Sequence, residues 1–251
     1  LQTLADAIKL LLKEQILPSK ADRAMYLLAP LIALVPSFLI FMIIPLGPDI
    51  TVEWQNALYT IPLVGADLNV GVLYFLALSS IAVYSVVLAG WSSGSKYPLL
   101  GGVRASAQMI SYEAAMGLAL VPVILYSGSL SLVDIVNSQS GNLSSSIPIL
   151  NTIVSFIPKW NIFPQFVAFG IFFIAAVAEV NRAPFDLVEA EQELVGGFHT
   201  EYSGFRFAMF FLAEYINMFN MCAITATFFL GGWLGPTFEG ILPPIFSVIM
   251  P

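Results

Sequence analysis

The residues best suited to chemistry in this sequence are carboxylates standing where charge is expensive. Glu113 lies nine residues past Arg104 and Glu214 eight past Arg206, each inside an apolar run, and Glu179 closes a third such run. A carboxylate at the centre of a bilayer span costs about 2.5–3.5 kcal/mol on insertion scales, so three of them call for a use. At about 1.5 Å of helical rise per residue, Glu113 and Glu214 stand roughly 12–14 Å inward from a basic boundary. Carboxyl groups held in low dielectric, and beside one another, bind protons more tightly than in water, which suits them to loading and releasing protons near neutral pH. Tyr112 and Tyr215, each adjacent to one of these acids, are expected to bridge them by hydrogen bonds. The competing reading is plain packing, with each acid paired to a base or a backbone amide. It is disfavoured because the runs contain almost no bases.

The densest chemical segment is 179–206, EVNRAPFDLVEAEQELVGGFHTEYSGFR. It sets Glu179, Asp186, Glu189, Glu191, Glu193 and Glu201 against Arg182 and Arg206. Pro184 restricts Ala183 to an extended conformation. Asp186 followed by Glu189 suits a helix N-cap with an acid three positions on, and Gly196-Gly197 supplies a stop. Asp186, Glu189 and Glu193 share one face, while Ala183, Phe185, Leu187, Val188 and Leu194 supply apolar surface. A solvated acidic coil has few aromatic residues. This pattern instead reads as a folded, partly buried loop that carries negative charge into a cavity.

Such residues need an unusual solvent. Of the 251 residues, 58% are hydrophobic and only 10% are charged, against about 25% charged in ordinary soluble domains. Lipid must replace water around this chain. The net charge of −7 excludes nucleic acid, whose binding depends on basic stripes. Cys222 lies in an apolar run and reads as a small buried hydrophobe. One cysteine and one histidine, His199, cannot hold an iron–sulfur cluster, a haem pair or a closed zinc site. There is no glycine-rich nucleotide motif, so redox or nucleotide chemistry must be hosted by a partner.

The elements that position the acids follow from the apolar runs. A span needs about 20 apolar residues, and five runs qualify: Ala24–Pro45, Val70–Gly90, Ala105–Tyr126, Ile162–Val180 and Phe207–Gly231. A sixth begins at Ile241 and is cut off at Pro251. Pro30, Pro36 and Pro122 fall inside spans, where neighbouring helices can satisfy the freed carbonyls. The expected fold is an all-α polytopic membrane bundle, one domain over 1–251. Because the chain opens without a start methionine or signal peptide, it is expected to be a fragment of a longer protein.

With alternating spans, residues 1–23, 91–104 and 181–206 share one side. That side holds Lys9, Lys13, Lys20, Arg23, Lys96, Arg104, Arg182 and Arg206, and the other only Lys159, eight bases against one. The positive-inside rule makes the shared side cytoplasmic or its equivalent. Residues 1–17 repeat apolar positions at Leu1, Leu4, Ala5, Ile8, Leu11 and Leu12 and read as an amphipathic helix on that interface. Residues 137–146 read as a polar outer loop, with Asn142-Leu143-Ser144 a chance match to the glycosylation triplet.

At AEVNRAPFDLVEAEQELVGGFHTEYSG (178–204) the sequence closely resembles the signature loop of the quinone-site membrane subunit of respiratory complex I, the family known as its subunit 1 or H. LADAIKLLLKE (4–14) is similar to that family's interfacial helix. DLNVGVLYFLALSSIAVYSVVLAGWSSGSKYPLLGGVRASAQMISYEAA (67–115) and FAMFFLAEY (207–215) are similar to its spans. Departures are small, at Met109 and Val188, and the family's first and final spans are expected to lie outside this sequence. The resemblance implies a membrane subunit of NADH:quinone oxidoreductase, inactive alone, that binds no cofactor itself and faces quinone as substrate. FMN and iron–sulfur clusters would belong to peripheral-arm partners, with antiporter-like and small membrane subunits as further partners. It implies that Arg182, Ala183, Phe185 and Asp186 line the quinone chamber. Glu179, Glu189, Glu191 and Glu193 would belong to its loop, and Glu113, Glu201 and Glu214 to an acidic funnel for proton coupling.

The equivalent membrane component of a membrane-bound hydrogenase or F420 dehydrogenase is the nearest alternative, disfavoured by the intact RAPFDL and EAEQEL text. A stand-alone transporter is disfavoured by the lack of an internal repeat. The bacterial plasma membrane is the expected location.

Overall fold

A computed structural model describes residues 2–54, 57–143, 158–186 and 196–235. It is a helical bundle, with helix α1 at Gln2–Leu12, α2 at Arg23–Phe41, α3 at Gly71–Ser92, α4 at Lys96–Ser127, a short α5 at Leu132–Ser138, α6 at Phe166–Glu179 and α7 at Phe205–Phe229. Among the described residues, α2, α3, α4 and α7 are long and apolar enough to cross a membrane. The fifth expected span is shorter as a helix: Asn161–Gln165 run as turns, and α6 has 14 residues. The run from Ile241 lies outside the described residues, as does Ser144 of the discounted triplet.

Lipid-facing composition is legible on the bundle surface. Val35, Phe38, Leu118, Leu125 and Phe166 are each about half exposed or more, which in water would be an aggregation hazard and in lipid is the solvated face. Cys222, expected to be buried, stands on this outer surface of α7 instead; an apolar run says that a residue avoids water, and lipid satisfies that as well as a core does. Inside, one apolar cluster unites Ile40, Phe75, Met116, Leu120, Phe172 and Phe228. A second joins Tyr26, Ala33, Val86, Met109 and Phe210 to Phe198 and Tyr202 of the 179–206 loop. That loop is therefore folded onto the bundle at its C-terminal end.

The three basic segments meet at one end, as charge asymmetry implied. The Ile16 N–H donates to Ser203 Oγ at 3.0 Å, and the Asp22 N–H to the Ser92 carbonyl at 3.0 Å. Asp22 also caps α2, its Oδ1 accepting from the Ala24 N–H at 3.1 Å. One boundary is corrected. Residues 96–104 are not loop but the first turns of α4, a helix of 32 residues. At about 48 Å it outruns a hydrocarbon core of about 30 Å. Gly101 and Gly102, which read as loop residues, lie where α4 is approached closely by other backbone. A Cβ on Gly101 would lie 2.7 Å from the Gly197 carbonyl carbon.

The opposite end holds an element that the apolar runs did not announce. Strands β1 (Ile50–Trp54) and β2 (Ala57–Ile61) form an antiparallel hairpin, Ile50 facing Ile61. Gln139 is buried and closes the C-terminal end of α7. Its Nε2 donates to the Thr227 carbonyl at 2.9 Å, and its Oε1 accepts from the backbone N–H groups of Asn161 at 3.2 Å and Gly231 at 3.1 Å. Carbonyls in a helix's last turn lack intrahelical partners, and Gln139 supplies one. Gln139→Ala strands these buried backbone groups. It is expected to lower stability by on the order of 3 kcal/mol, measured as the thermal midpoint of the purified protein in detergent.

Candidate functional site

Glu179, Glu214 and Glu113 come from three helices, as expected. Glu179 ends α6 and is only 7% exposed. Among the described residues its Oε2 has no hydrogen-bond partner. It lines a partly open, mostly apolar cavity of about 70 Å³, whose polar groups are Glu179 itself, Glu214 and Asn217 of α7, Ser85 of α3, and Asn181 and His199 of the loop. A water needs roughly 10–15 Å³ by this measure, so the cavity has room for several. Glu113 lies on α4 outside that lining, close enough for its charge to act on Glu179. Its Oε1 is reached by the hydroxyls of Ser79, at 3.1 Å, and Ser80, both on α3.

Glu214 is different, and corrects the expectation that bases would be lacking. Arg182 Nη2 stands 3.3 Å from Glu214 Oε1, and its guanidinium covers the Tyr215 ring at 5.2 Å. Arg182 reaches inward because the chain turns tightly after α6, its N–H donating to the Val177 carbonyl at 3.3 Å. The expected tyrosine bridges are replaced by ring contacts. Tyr215 carries Arg182, and Tyr112 packs edge-on against Phe185 with centroids 5.2 Å apart.

The first part of the loop is pinned to α4 by Gln108, a residue not singled out among the sequence candidates. Gln108 Nε2 donates to the Phe185 carbonyl at 2.9 Å and lies 3.4 Å from that of Ala178. Gln108 and Tyr112 stand four apart, one face of one helix. That spacing was the available signal. Ala183 and Asp186 are exposed and Phe185 half-buried, so this stretch presents a mixed face toward the basic end. Glu201 is not brought to the cavity. It lies beside Tyr26 with Arg206, its carbonyl accepting from the Tyr26 hydroxyl at 2.8 Å. Glu189, Glu191 and Glu193 lie outside the described residues.

The family model for NADH dehydrogenase matches residues 1–250. The chain belongs to that family. It is 54% identical over 249 residues to an H-type NADH-quinone oxidoreductase subunit (form 2) of Geobacter metallireducens, covering 95% of this chain and 66% of that protein. The corresponding form 1 of Geobacter sulfurreducens is 53% identical over the same shares. Form 2 of Syntrophobacter fumaroxidans is 51% identical, over 98% of this chain and 66% of its own length. The chain thus spans just under two thirds of the length of these curated relatives. Membership agrees with the bundle of membrane-type helices described above.

One further cavity residue carries chemistry that its solitary place in the sequence did not suggest. His199 sits on a 3₁₀ turn, Gly197–His199, with its ring against those of Phe198, Phe207 and Phe211. Burial pulls its pKa down from 6.5 to about 4, so it is neutral at pH 7. A folded-state value below the unfolded one means the unfolded chain takes up the extra proton. Stability from this source is therefore complete above pH 6.5 and is lost progressively as pH falls toward 4, approaching about 1.4 kcal/mol per pH unit within that window. His199→Gln is expected to flatten that part of the curve, read from thermal midpoints of the two proteins between pH 7 and pH 4.5.

Proposed function

We propose that this chain is the quinone-site membrane subunit of a proton-translocating NADH:quinone oxidoreductase, and that it holds no redox cofactor of its own. Electrons arrive through FMN and iron–sulfur clusters of peripheral-arm partners. The quinone head is reduced against the loop containing Arg182, Ala183, Phe185 and Asp186. Glu179, Glu214 and Glu113 begin the proton path toward antiporter-like and small membrane subunits; Glu189, Glu191, Glu193 and Glu201 supply loop and entrance charge. The chain is a multi-pass protein of the bacterial plasma membrane, a single membrane domain, with residues 1–23, 91–104 and 181–206 cytoplasmic.

The observation that carries this reading is Glu179, a carboxyl 7% exposed whose Oε2 has no hydrogen-bond partner among the described residues, in a cavity whose mostly apolar wall carries a few polar groups. Its α6 terminus leads through only a few residues to the Arg182–Phe185 turn. Quinone reduction consumes protons and changes charge at the loop, and Arg182 conveys that change to Glu214 across 3.3 Å. The names of the relatives support the same substrate and complex.

A photoactivatable quinone analogue added to the whole complex should label the peptide containing Arg182 and Phe185, with excess quinone blocking the label. Labelling confined to the lipid-facing surfaces of α2 and α7 would remove the chamber role from this loop.

A further inference from the structure

The proton path as described uses carboxyl groups alone and leaves the cavity's histidine idle. We infer that His199 is a positioning residue for this path, holding a cavity water between Glu179 and Glu214 through one of its two imidazole nitrogens. The inference rests on the proposed proton-carrying role of Glu179 and adds a residue to it.

Three features meet at this place. Glu179 Oε2 is buried and lacks a partner among the described residues, and buried polar oxygens of this kind are ordinarily satisfied by water. The cavity has about 70 Å³ for it. Glu214, on the facing helix, is already tied to Arg182 at 3.3 Å, so a chain of hydrogen bonds from Glu179 needs an intermediate group. His199 lines the same cavity and comes from neither helix.

Its ring is well fixed for that task. Phe198, Phe207 and Phe211 stand 4.8, 5.3 and 6.1 Å from it, centroid to centroid. The turn beneath is locked by the Thr200 hydroxyl donating to the Gly197 carbonyl at 2.7 Å and the Tyr202 N–H donating to the His199 carbonyl at 2.9 Å. Gly101 of α4 lets that turn approach, since any Cβ there would stand 2.8 Å from the Phe198 nitrogen. The charged groups around the cavity are Glu179 from α6, Glu214 from α7 with its partner Arg182, and Glu113 from α4 acting on Glu179. α3 contributes the uncharged Ser85. Burial keeps the imidazole neutral at working pH, so it offers one acceptor and one donor. A water held there can take a proton from one carboxyl and pass another on, with no net change at the histidine.

The test uses the whole complex in sealed proteoliposomes, comparing His199→Phe, His199→Gln and Glu179→Gln by protons translocated per quinone reduced. Phe fills the aromatic cage but orders no water; Gln restores a donor and an acceptor. His199→Phe should lower translocation at least fivefold, and His199→Gln should bring it back to within about twofold of the parent. Parent-like translocation by His199→Phe, or a glutamine variant as impaired as the phenylalanine one, overturns the inference. If Glu179→Gln itself translocates normally, the underlying proton-path reading fails instead, whatever His199 does.

Discussion

Glu179→Gln is expected to reduce proton translocation by the reconstituted complex at least tenfold while the complex still assembles. Glutamine matches the carboxyl group in shape and hydrogen-bonding reach but cannot take a proton on and off. Glu179 Oε2 has no partner among the described residues, so the substitution strands no cation among them and removes an ionisable group from a buried site. Burying an unpaired charge costs several kcal/mol, and the neutral amide avoids that cost. Thermal stability should therefore be equal to the parent's or slightly higher, which separates a lost function from a damaged fold. Glu179→Asp keeps the chemistry but withdraws the carboxyl by one methylene, and intermediate translocation is expected. Glu214→Gln provides the contrast, because it takes away the anion that Arg182 holds at 3.3 Å; it should lower both stability and translocation. A Glu179→Gln complex that pumps like the parent would show that this cavity lies off the proton path.

What could be read from the sequence, and what could not, divides by the range of the interaction. Apolar runs and basic boundaries act over whole helices, so α2, α3, α4 and α7 and the shared basic end were legible. The depth of Glu113 and Glu214 was legible too, because helical rise is fixed. The start of α4 was not: Gly101 and Gly102 have the composition of a loop, and only the approach of Gly197 to Gly101 and of Gly90 to Gly102 explains them inside a helix. The β1–β2 hairpin is short and exposed, and its alternation is weak. Pairings depend on side-chain direction across separate elements, so the Arg182–Glu214 bridge and the Gln108 tether had no local signature. His199 was visible only as a residue too solitary to bind a metal. Its place beside Glu179 depends on the loop folding back onto α4, which no spacing in the sequence encodes.

Gly90→Val is expected to prevent recovery of an assembled complex, and Gly90→Ala to lower stability by about 2 kcal/mol or more. A Cβ on Gly90 would stand 2.5 Å from the Pro98 carbonyl oxygen and 3.2 Å from the Gly102 Cα. Both are backbone atoms of α4, so no rotamer change relieves the overlap and the helices themselves must separate. Small residues at membrane helix crossings exist for this close approach, since lipid offers no hydrophobic force to hold helices together. The crossing also sets the chemistry. Ser80 lies ten residues along α3 from Gly90, and Glu113 eleven along α4 from Gly102, about 15–17 Å in each case. Both groups therefore meet only while the helices keep their spacing and angle at the glycines. Partial separation should break the Ser79 and Ser80 hydroxyl contacts with Glu113 before the bundle unfolds. In Gly90→Ala the loss of proton translocation should accordingly exceed that of the Ser79→Ala, Ser80→Ala double variant, which removes those hydroxyls but leaves the crossing intact. Normal assembly of Gly90→Val, judged by co-purification with the other subunits, would mean that α3 and α4 do not cross at these residues.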